Sequence, residues 1–335
     1  MTYFIRAAAL AHYVEVARRH GLEPRRMLGR CAIPLQALDD PEHPIDLERG
    51  CLLLEESARS SGVRSFGLEM GEANRLSTLG LLGLLLREEP TLRHALRTVM
   101  HYRRLHNDAL VLRLEEDGAQ ALLHIQYAIE GAAGMVQATE QGLAMLVRTL
   151  RALQPPDWRP SLLCLMHERQ GEAAVYRRVL GSPIRFRAEF NGVAFPAADL
   201  DRPMNAADPA LALAARQQLD LLLQARGAAG TAQQVRELAM VLLPLGRCSV
   251  DQVATHLGVH RSTLHRQLLR EGQGFAEILE QVRRSLVQRL LESRARPLIE
   301  VSELLGFSSP PAFSRWHRRS FGETALARRT RLAGG

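Results

Sequence analysis

The feature that most constrains this chain is a pattern that occurs twice near its C-terminal end: a short amphipathic helix, a glycine turn, and a second helix with a basic outer face. In the first copy Ser249 sits at an N-cap position, and Val250, Val253, Ala254 and Leu257 form one apolar stripe. Gly258-Val259 supplies the turn, and a helix from about Arg261 to Arg270 buries Leu264 and Leu268 while exposing Arg261, His265 and Arg266. The second copy has Ile299, Val301, Leu304 and Leu305 in its first helix and Gly306-Phe307-Ser308 in its turn. Its second helix, about Pro310 to Phe321, buries Phe313 and exposes Ser314, Arg315, Arg318 and Arg319. Two helix-turn-helix units, about 249–271 and 299–321, are therefore predicted. A helix from Phe275 to Ser293, with Ile278, Leu279, Val282, Leu286 and Leu290 as its stripe, joins them. At ~1.5 Å per residue this connector spans about 28 Å, close to the ~34 Å between adjacent major-groove faces of a duplex.

The charge distribution agrees. The formal net charge is +7, and there is no Lys. Residues 1–230 hold 27 Arg against 27 acidic residues, whereas residues 231–335 hold 16 Arg against 9. A neutral first part joined to a basic last part places any polyanion contact on the last part; a basic tail that only aids solubility is the alternative. With 335 residues, 46% of them hydrophobic and 24% charged, the chain is of globular type, and at roughly 100–200 residues per domain two domains are expected. The longest apolar run, Leu79 to Leu86, is far short of the ~20 residues a membrane helix needs. Arg6, His12 and Glu15 interrupt the first apolar stretch, so it does not read as a secretory signal. Cys31, Cys51, Cys164 and Cys248 lie far apart, which supports neither a disulfide framework nor a zinc cluster. A soluble cytoplasmic protein without metal or cofactor is the expectation.

The first two hundred residues mix helix and strand signals. Helical spacing runs from Ala7 to Arg19, over Leu47–Ser60 and from Leu92 to about Asn107 behind Thr91, with Pro34, Pro41 and Pro44 in a loop. Leu110–Glu115 alternates, turns at Asp117-Gly118 and returns through Leu123, Ile125, Tyr127 and Ile129 as a hairpin. A helix from about Met135 to Leu153, a strand at Ser161–His167 and a helix near Glu172–Leu180 follow. A second hairpin is predicted from Ile184–Phe190 and Val193–Phe195 around Asn191-Gly192. The fold class is thus mixed: an α+β domain with a small antiparallel sheet, then an all-α domain. Asp208-Pro209 opens a helix with Leu211, Ala215, Leu219, Leu222 and Leu223 on one side, either a dimer surface or packing within the domain. The predicted division is residues 1–226, a small-residue linker at 227–231, and 232–332.

At the C-terminal motifs the resemblance is specific. The pattern L-x-R-x-L-x-x-E-G-x-x-F stands here as Leu264, Arg266, Leu268, Glu271, Gly272 and Phe275, and L-G-F-S-x-P-x-A-F-x-R as Leu305 through Arg315. Both resemble the DNA-binding domain of AraC/XylS-type transcription regulators. That family usually places Pro where Ala325 stands, an aromatic near Arg328 and Phe where His317 stands. FGLEMGE (66–72), LGLLGLLL, WRPSLLCLMHE (158–168), GSPIRF and LDRPMNAADPAL (200–211) are similar to the arabinose-binding-like effector domain of one branch of the family. The resemblance implies a ligand-responsive regulator whose partners are double-stranded promoter DNA, an unidentified small-molecule effector, RNA polymerase if it activates, and a second copy in a homodimer.

Base contacts are then expected from Arg261, Ser262, His265 and Arg266 in the first unit and from Ser309, Pro310, Ala312, Ser314 and Arg315 in the second. Arg270, Arg318 and Arg319 suit phosphates, which position without specifying. For Arg266 and Arg315 an ion pair with Glu271 or Glu303 is the competing reading. The segment from His94 to His106 crowds three His and three Arg onto one helix; His94, Arg97, His101 and Arg104 suit an anionic effector, a metal is disfavoured because His101 and His106 are five apart, and a solvated helix face is the alternative. Leu79–Leu86 reads as a buried helix or as one wall of an apolar ligand pocket. No nucleophile elbow, phosphate loop, metal signature or carboxylate pair is present, so no enzyme is expected. The competing class is an enzyme or sensor whose basic tail binds nucleic acid without sequence preference.

Overall fold

The computed structural model describes residues 3–128, 135–204, 208–226, 230–244, 246, 248–292 and 296–334. Ile129, residues 205–207, linker residues 227–229 and Ser293 lie outside these described residues. The chain divides into two compact units, Met1–Tyr127 with Gly134–Gly227 and Ala128–Ala133 with Ala228–Gly335. Among the described residues no helix is long and apolar enough to cross a membrane.

The first unit holds two sheets. A short antiparallel ribbon pairs β1 (Phe4–Arg6) with β2 (Pro44–Asp46), Ile5 opposite Ile45. The larger sheet contains β3 (Leu110–Asp117), β4 (Gln120–Tyr127), β5 (Leu162–Cys164), β6 (Ile184–Arg185) and β7 (Gly192–Pro196), in the order β3-β4-β7-β5-β6. The β3–β4 hairpin turns over Gly118-Ala119, with Gly118 at φ +57°, a left-handed conformation that glycine adopts without a Cβ clash. Ala121, Leu123 and Ile125 alternate onto the buried face of β4.

The second predicted hairpin does not form. β7 runs antiparallel to both β4 and β5, while β6 pairs in parallel with β5 at the edge. The apolar alternation was real, but β5 comes between the two arms because it offers β7 a hydrogen-bonding edge. The Ala7–Arg19 helix is likewise divided, into a 3-10 turn at Ala7–Leu10 and α1 (Tyr13–Arg19).

The remaining helices of this unit are α2 (Pro24–Arg30), α3 (Leu47–Ser61), α4 (Phe66–Ala73), α5 (Leu81–Arg87), α6 (Leu92–Tyr102), α7 (Val136–Leu153), α8 (Ala173–Leu180) and α9 (Pro209–Ala225). Helix α7 carries Leu143, Ala144, Val147 and Leu150 into the same core as Leu123, Val193 and Phe195 of the sheet. The FGLEMGE segment forms α4, whose Gly67 and Gly71 lie one turn apart against α7. A Cβ at Gly67 would overlap the Gln137 carbonyl, so these glycines permit the two backbones to touch. Helix α9 is N-capped by Asp208, which accepts from Ala210 N–H at 2.9 Å. It is fastened to the unit by Tyr102 Oη donating to Asp220 and Arg216 donating to the buried Glu89, each at 2.6 Å.

The second unit is all helical: α10 (Thr231–Leu242), α11 (Val250–His256), α12 (Arg261–Arg270), α13 (Phe275–Glu292), α14 (Leu298–Leu304), α15 (Pro310–Phe321) and α16 (Ala325–Gly334). Helix α10 adds Ala232, Val235 and Leu242 to a core with Val253, Ala254, Leu264, Leu268 and Ile278. Ile299 departs from its expected place on the α14 stripe and is 55% exposed, whereas Val301 and Leu305 are buried.

Candidate nucleic-acid interface and ligand cavity

The two helix-turn-helix units are built on the same backbone turn. After α11, Gly258 N–H donates to Thr255 O at 3.1 Å and Val259 N–H to Ala254 O at 3.0 Å. After α14, Gly306 N–H donates to Glu303 O at 2.8 Å and Phe307 N–H to Ser302 O at 3.0 Å. This paired arrangement satisfies the last carbonyls of a helix and requires a left-handed residue; Gly258 and Gly306 have φ +66° and +67°. The helix that follows is capped each time. The His260 ring accepts from Ser262 N–H, and Ser309 Oγ accepts from Ala312 N–H, with Pro310 at the first helical position where no N–H is needed. Helix α11 begins with a reciprocal Ser249–Gln252 capping box.

Both second helices are half buried. On α12, Leu264 and Leu268 enter the core, leaving Arg261, Ser262, His265, Arg266 and Arg270 exposed. On α15, Phe313 and Trp316 are buried, and Pro310, Ser314, Arg315, Arg318 and Arg319 are exposed, with Ser309 and Ala312 half-buried. Arg261 lies 3.4 Å from Asp251. Among the described residues Arg266 and Arg315 carry no ion pair, and the Glu271 carboxylate is engaged elsewhere. The Glu271 carboxylate accepts from the backbone N–H groups of Thr231 and Ala232 at 2.6 and 2.9 Å and so caps α10. Gly230 precedes that cap because a Cβ there would come within 2.8 Å of the Glu271 carboxylate.

Helix α13 fixes both units from one rod. Ile278 belongs to the first core. Glu280 accepts from Trp316 Nε1 at 2.7 Å and from Ser320 Oγ at 3.1 Å. Arg283 stacks over Phe307 at 4.5 Å and donates from Nε to Leu305 O at 2.9 Å, gripping the second glycine turn. At ~1.5 Å per residue its 18 residues span about 27 Å.

The first unit contains a cavity of about 160 Å³. Its walls come from β1, β2, α3, α5, α6, β3, β4 and α7, and most lining side chains are apolar, among them Ile5, Leu54, Leu79, Leu82, Leu96 and Val99. Leu79 and Leu82 come from the leucine-glycine run, which forms a cavity wall and a half-buried helix, with Leu82, Leu85 and Leu86 buried and Leu81 and Leu84 exposed. Helix α6 turns Ala95, Leu96 and Val99 to the cavity, whereas His94, Arg97 and His101 are exposed and Arg104 is half-buried; none of those four lines it. Arg6, Arg103 and His106 supply the basic groups instead. Arg6 Nη1 donates to His106 Nδ1 at 2.7 Å, and its Nη2 pairs with Glu42. Burial, with Arg6 and Arg226 nearby, pushes the His106 pKa down to about 3, so the ring is neutral at pH 7. On the other side of α7, the fully buried Glu140 accepts from Tyr176 Oη, and burial raises its pKa to about 8.

Residues 21–204 match the family described as the arabinose-binding domain of AraC transcription regulators, and residues 253–331 match a helix-turn-helix domain. The chain is 30% identical over 333 residues to the HTH-type transcriptional regulator VirS of Mycobacterium tuberculosis (strain CDC 1551 / Oshkosh), covering 99% of this chain and 97% of that one. This chain belongs to the AraC-type transcription regulators. It is also similar to the ornithine utilization regulator of Pseudomonas aeruginosa PAO1, 24% identical over 311 residues, 92% of this chain and 91% of that one. Among solved structures, transcriptional regulator CdpR of Pseudomonas aeruginosa matches with 22% identity and a TM-score of 0.45, over 94% of this chain and 98% of that one.

Against the AraC-type pattern, the departures near the C-terminus are accommodated locally. Thr324 Oγ1 accepts from Ala327 N–H at 3.1 Å and caps α16, so Ala325 can stand where Pro is usual. Arg328 lies over the Phe321 ring at 4.2 Å, replacing an aromatic contact with a cation over a π face. His317 is fully buried beside Phe313 and Phe321, its Nδ1–H donating to Glu323 O at 2.9 Å, and burial lowers its pKa. Sequence reasoning about this AraC-type regulator missed Arg6 and the cap formed by Glu271, and named His106 only as the end of the basic 94–106 segment. Arg6 lies on a three-residue strand and His106 after a 3-10 turn, too short for periodicity to reveal.

Proposed function

We propose that this AraC-type regulator reads a promoter duplex with α12 and α15 together, and that a small molecule held in the first unit biases that reading. Arg261, Ser262, His265 and Arg266 would meet base edges from one helix, and Pro310, Ala312, Ser314 and Arg315 from the other, with Ser309 at the capped edge. Arg270, Arg318 and Arg319 meet phosphates. The observation that carries this reading is the repeated glycine turn, which is followed each time by a helix with Arg266 or Arg315 exposed and with Leu264 and Leu268, or Phe313 and Trp316, buried. On this view residues 1–226 regulate and 232–332 bind DNA. RNA polymerase is a further partner if the protein activates, and a second copy is a partner through Leu211 and Leu222, the part of the α9 stripe left exposed while Ala215 and Leu219 pack within the unit. The ligand acts by binding one DNA-engaging arrangement more tightly than another.

Selecting bound fragments from a random duplex pool tests the reading. One sequence should outcompete bulk DNA by at least ~10³-fold at physiological salt. Equal affinity across sequences, with a steep salt dependence alone, would mean non-specific binding and would overturn it.

A further inference from the structure

The lining of the first unit's cavity narrows the class of ligand. Its volume of about 160 Å³ is close to the ~150 Å³ of an engineered apolar cavity that admits benzene. Among the described residues no Asp or Glu contributes to the lining, so a cationic ligand would find no counter-charge from them. Thr78, Asn107, Tyr127, Gln141 and Thr149 also line it, but most of the wall is Leu, Ile, Val and Ala, so several hydroxyls of a sugar would lack a partner there, at about 1–3 kcal/mol each. The ionised lining residues are both arginines, Arg6 and Arg103.

Arg6 is the better placed of the two for a ligand. Its side chain is 11% exposed, while that of its partner Glu42 is 72% exposed, so a buried cation is balanced by a carboxylate standing in water. Arg6 Nε is buried without a hydrogen-bond partner among the described residues. Because His106 Nδ1 accepts from Arg6, its ring proton sits on Nε2, a second donor at the same end of the cavity. The neutral state of that imidazole, with Arg6 and Arg226 both close, is consistent with a locally positive field.

On the reading of the first unit as a sensor, we propose that the cavity takes a compact apolar monocarboxylate, its body among Leu79, Leu82, Val99 and Leu146 and its carboxylate at Arg6 and His106. Such a ligand would exchange the exposed Glu42 for a buried counter-ion and occupy the idle Nε. It would also sit beside the turn that is held by the segment leading out of the unit. Arg226 caps the end of α9, donates to Arg104 O and lies 3.8 Å from Asp108. It thus grips the turn carrying Arg103 and His106, immediately before the linker.

The test uses the full chain, with thermal unfolding and titration calorimetry against benzoate and hexanoate, their alcohols benzyl alcohol and hexanol, hexylamine, and arabinose. The acids should bind and raise the melting temperature as concentration rises. The alcohols should bind at least tenfold more weakly, and hexylamine and arabinose should not register. Arg6→Gln should reduce the acid-over-alcohol preference to near unity while alcohol binding persists, which shows that the cavity is intact. Val99→Trp should abolish acid binding by filling the cavity; Ala138→Leu is the milder filling variant if the first does not fold. Failure of both acids to bind, alcohols equal to acids, or arabinose binding that the filling variant removes would each overturn the proposal. DNA selection separates the two levels. A sequence-specific protein that ignores both acids loses only the ligand class, whereas acid binding without sequence-specific DNA binding removes the regulatory reading.

Discussion

Replacing Glu271 by Ala isolates a contact on which the second unit's first core depends. The carboxylate accepts two backbone N–H groups, those of Thr231 and Ala232, at the start of α10, where Gly230 has no side chain to cap. Loss of an N-terminal cap costs about 0.5–2 kcal/mol, and loss of a negative charge at a helix N-terminus about 0.3–1 kcal/mol more. The second unit should therefore lose roughly 1–3 kcal/mol, and at about 4–8 °C per kcal/mol its melting temperature should fall by roughly 4–24 °C. Trp158 lies in the first unit and Trp316 in the second, and they are the only two in the chain, so fluorescence of a Trp158→Phe background reports the second unit alone. Arg266→Ala in the same background should leave the transition in place, and the double variant should match the sum of the singles within about 0.5 kcal/mol. An unchanged transition for Glu271→Ala would refute the capping role, and a strongly non-additive double variant would restore the Arg266–Glu271 ion pair.

Other perturbations separate recognition from packing. Arg315→Ala should weaken specific DNA binding by about 1–3 kcal/mol, roughly 5- to 150-fold, without shifting the melting temperature, whereas Arg318→Ala should weaken all sequences alike and lower the salt slope by about one; matched-salt gel shifts distinguish these outcomes. Gly67→Ala should destabilise the first unit by about 1–3 kcal/mol, because the added Cβ overlaps the Gln137 carbonyl and forces α4 from α7; calorimetry of the first unit checks it. His317 is held neutral by burial, so its folded pKa lies below the ~6.5 of the unfolded chain. The unfolded state then binds more protons as pH falls below about 6.5, and the second unit's stability should decline in that range. His317→Phe should flatten this decline, as followed by Trp316 fluorescence between pH 7 and 5.

What the linear sequence determined is what short-range periodicity encodes. The helix-turn-helix units were legible because Gly258 and Gly306 mark left-handed turns, and because Leu264, Leu268 and Phe313 recur at helical spacing opposite exposed arginines. The helix N-caps Ser249, Thr91 and Asp208 were legible for the same local reason. The order of the sheet, the role of Glu271 and the cavity were decided only in three dimensions. Each joins groups far apart in the chain: β7 meets β4 and β5, Glu271 reaches back forty residues to Thr231, and Arg6 finds His106 a hundred residues away. A carboxylate or a guanidinium looks the same in sequence whether it faces water, a helix end or a ligand. Which of these it meets is set by the packing of apolar faces, which brings distant segments together and excludes water from some of the groups between them.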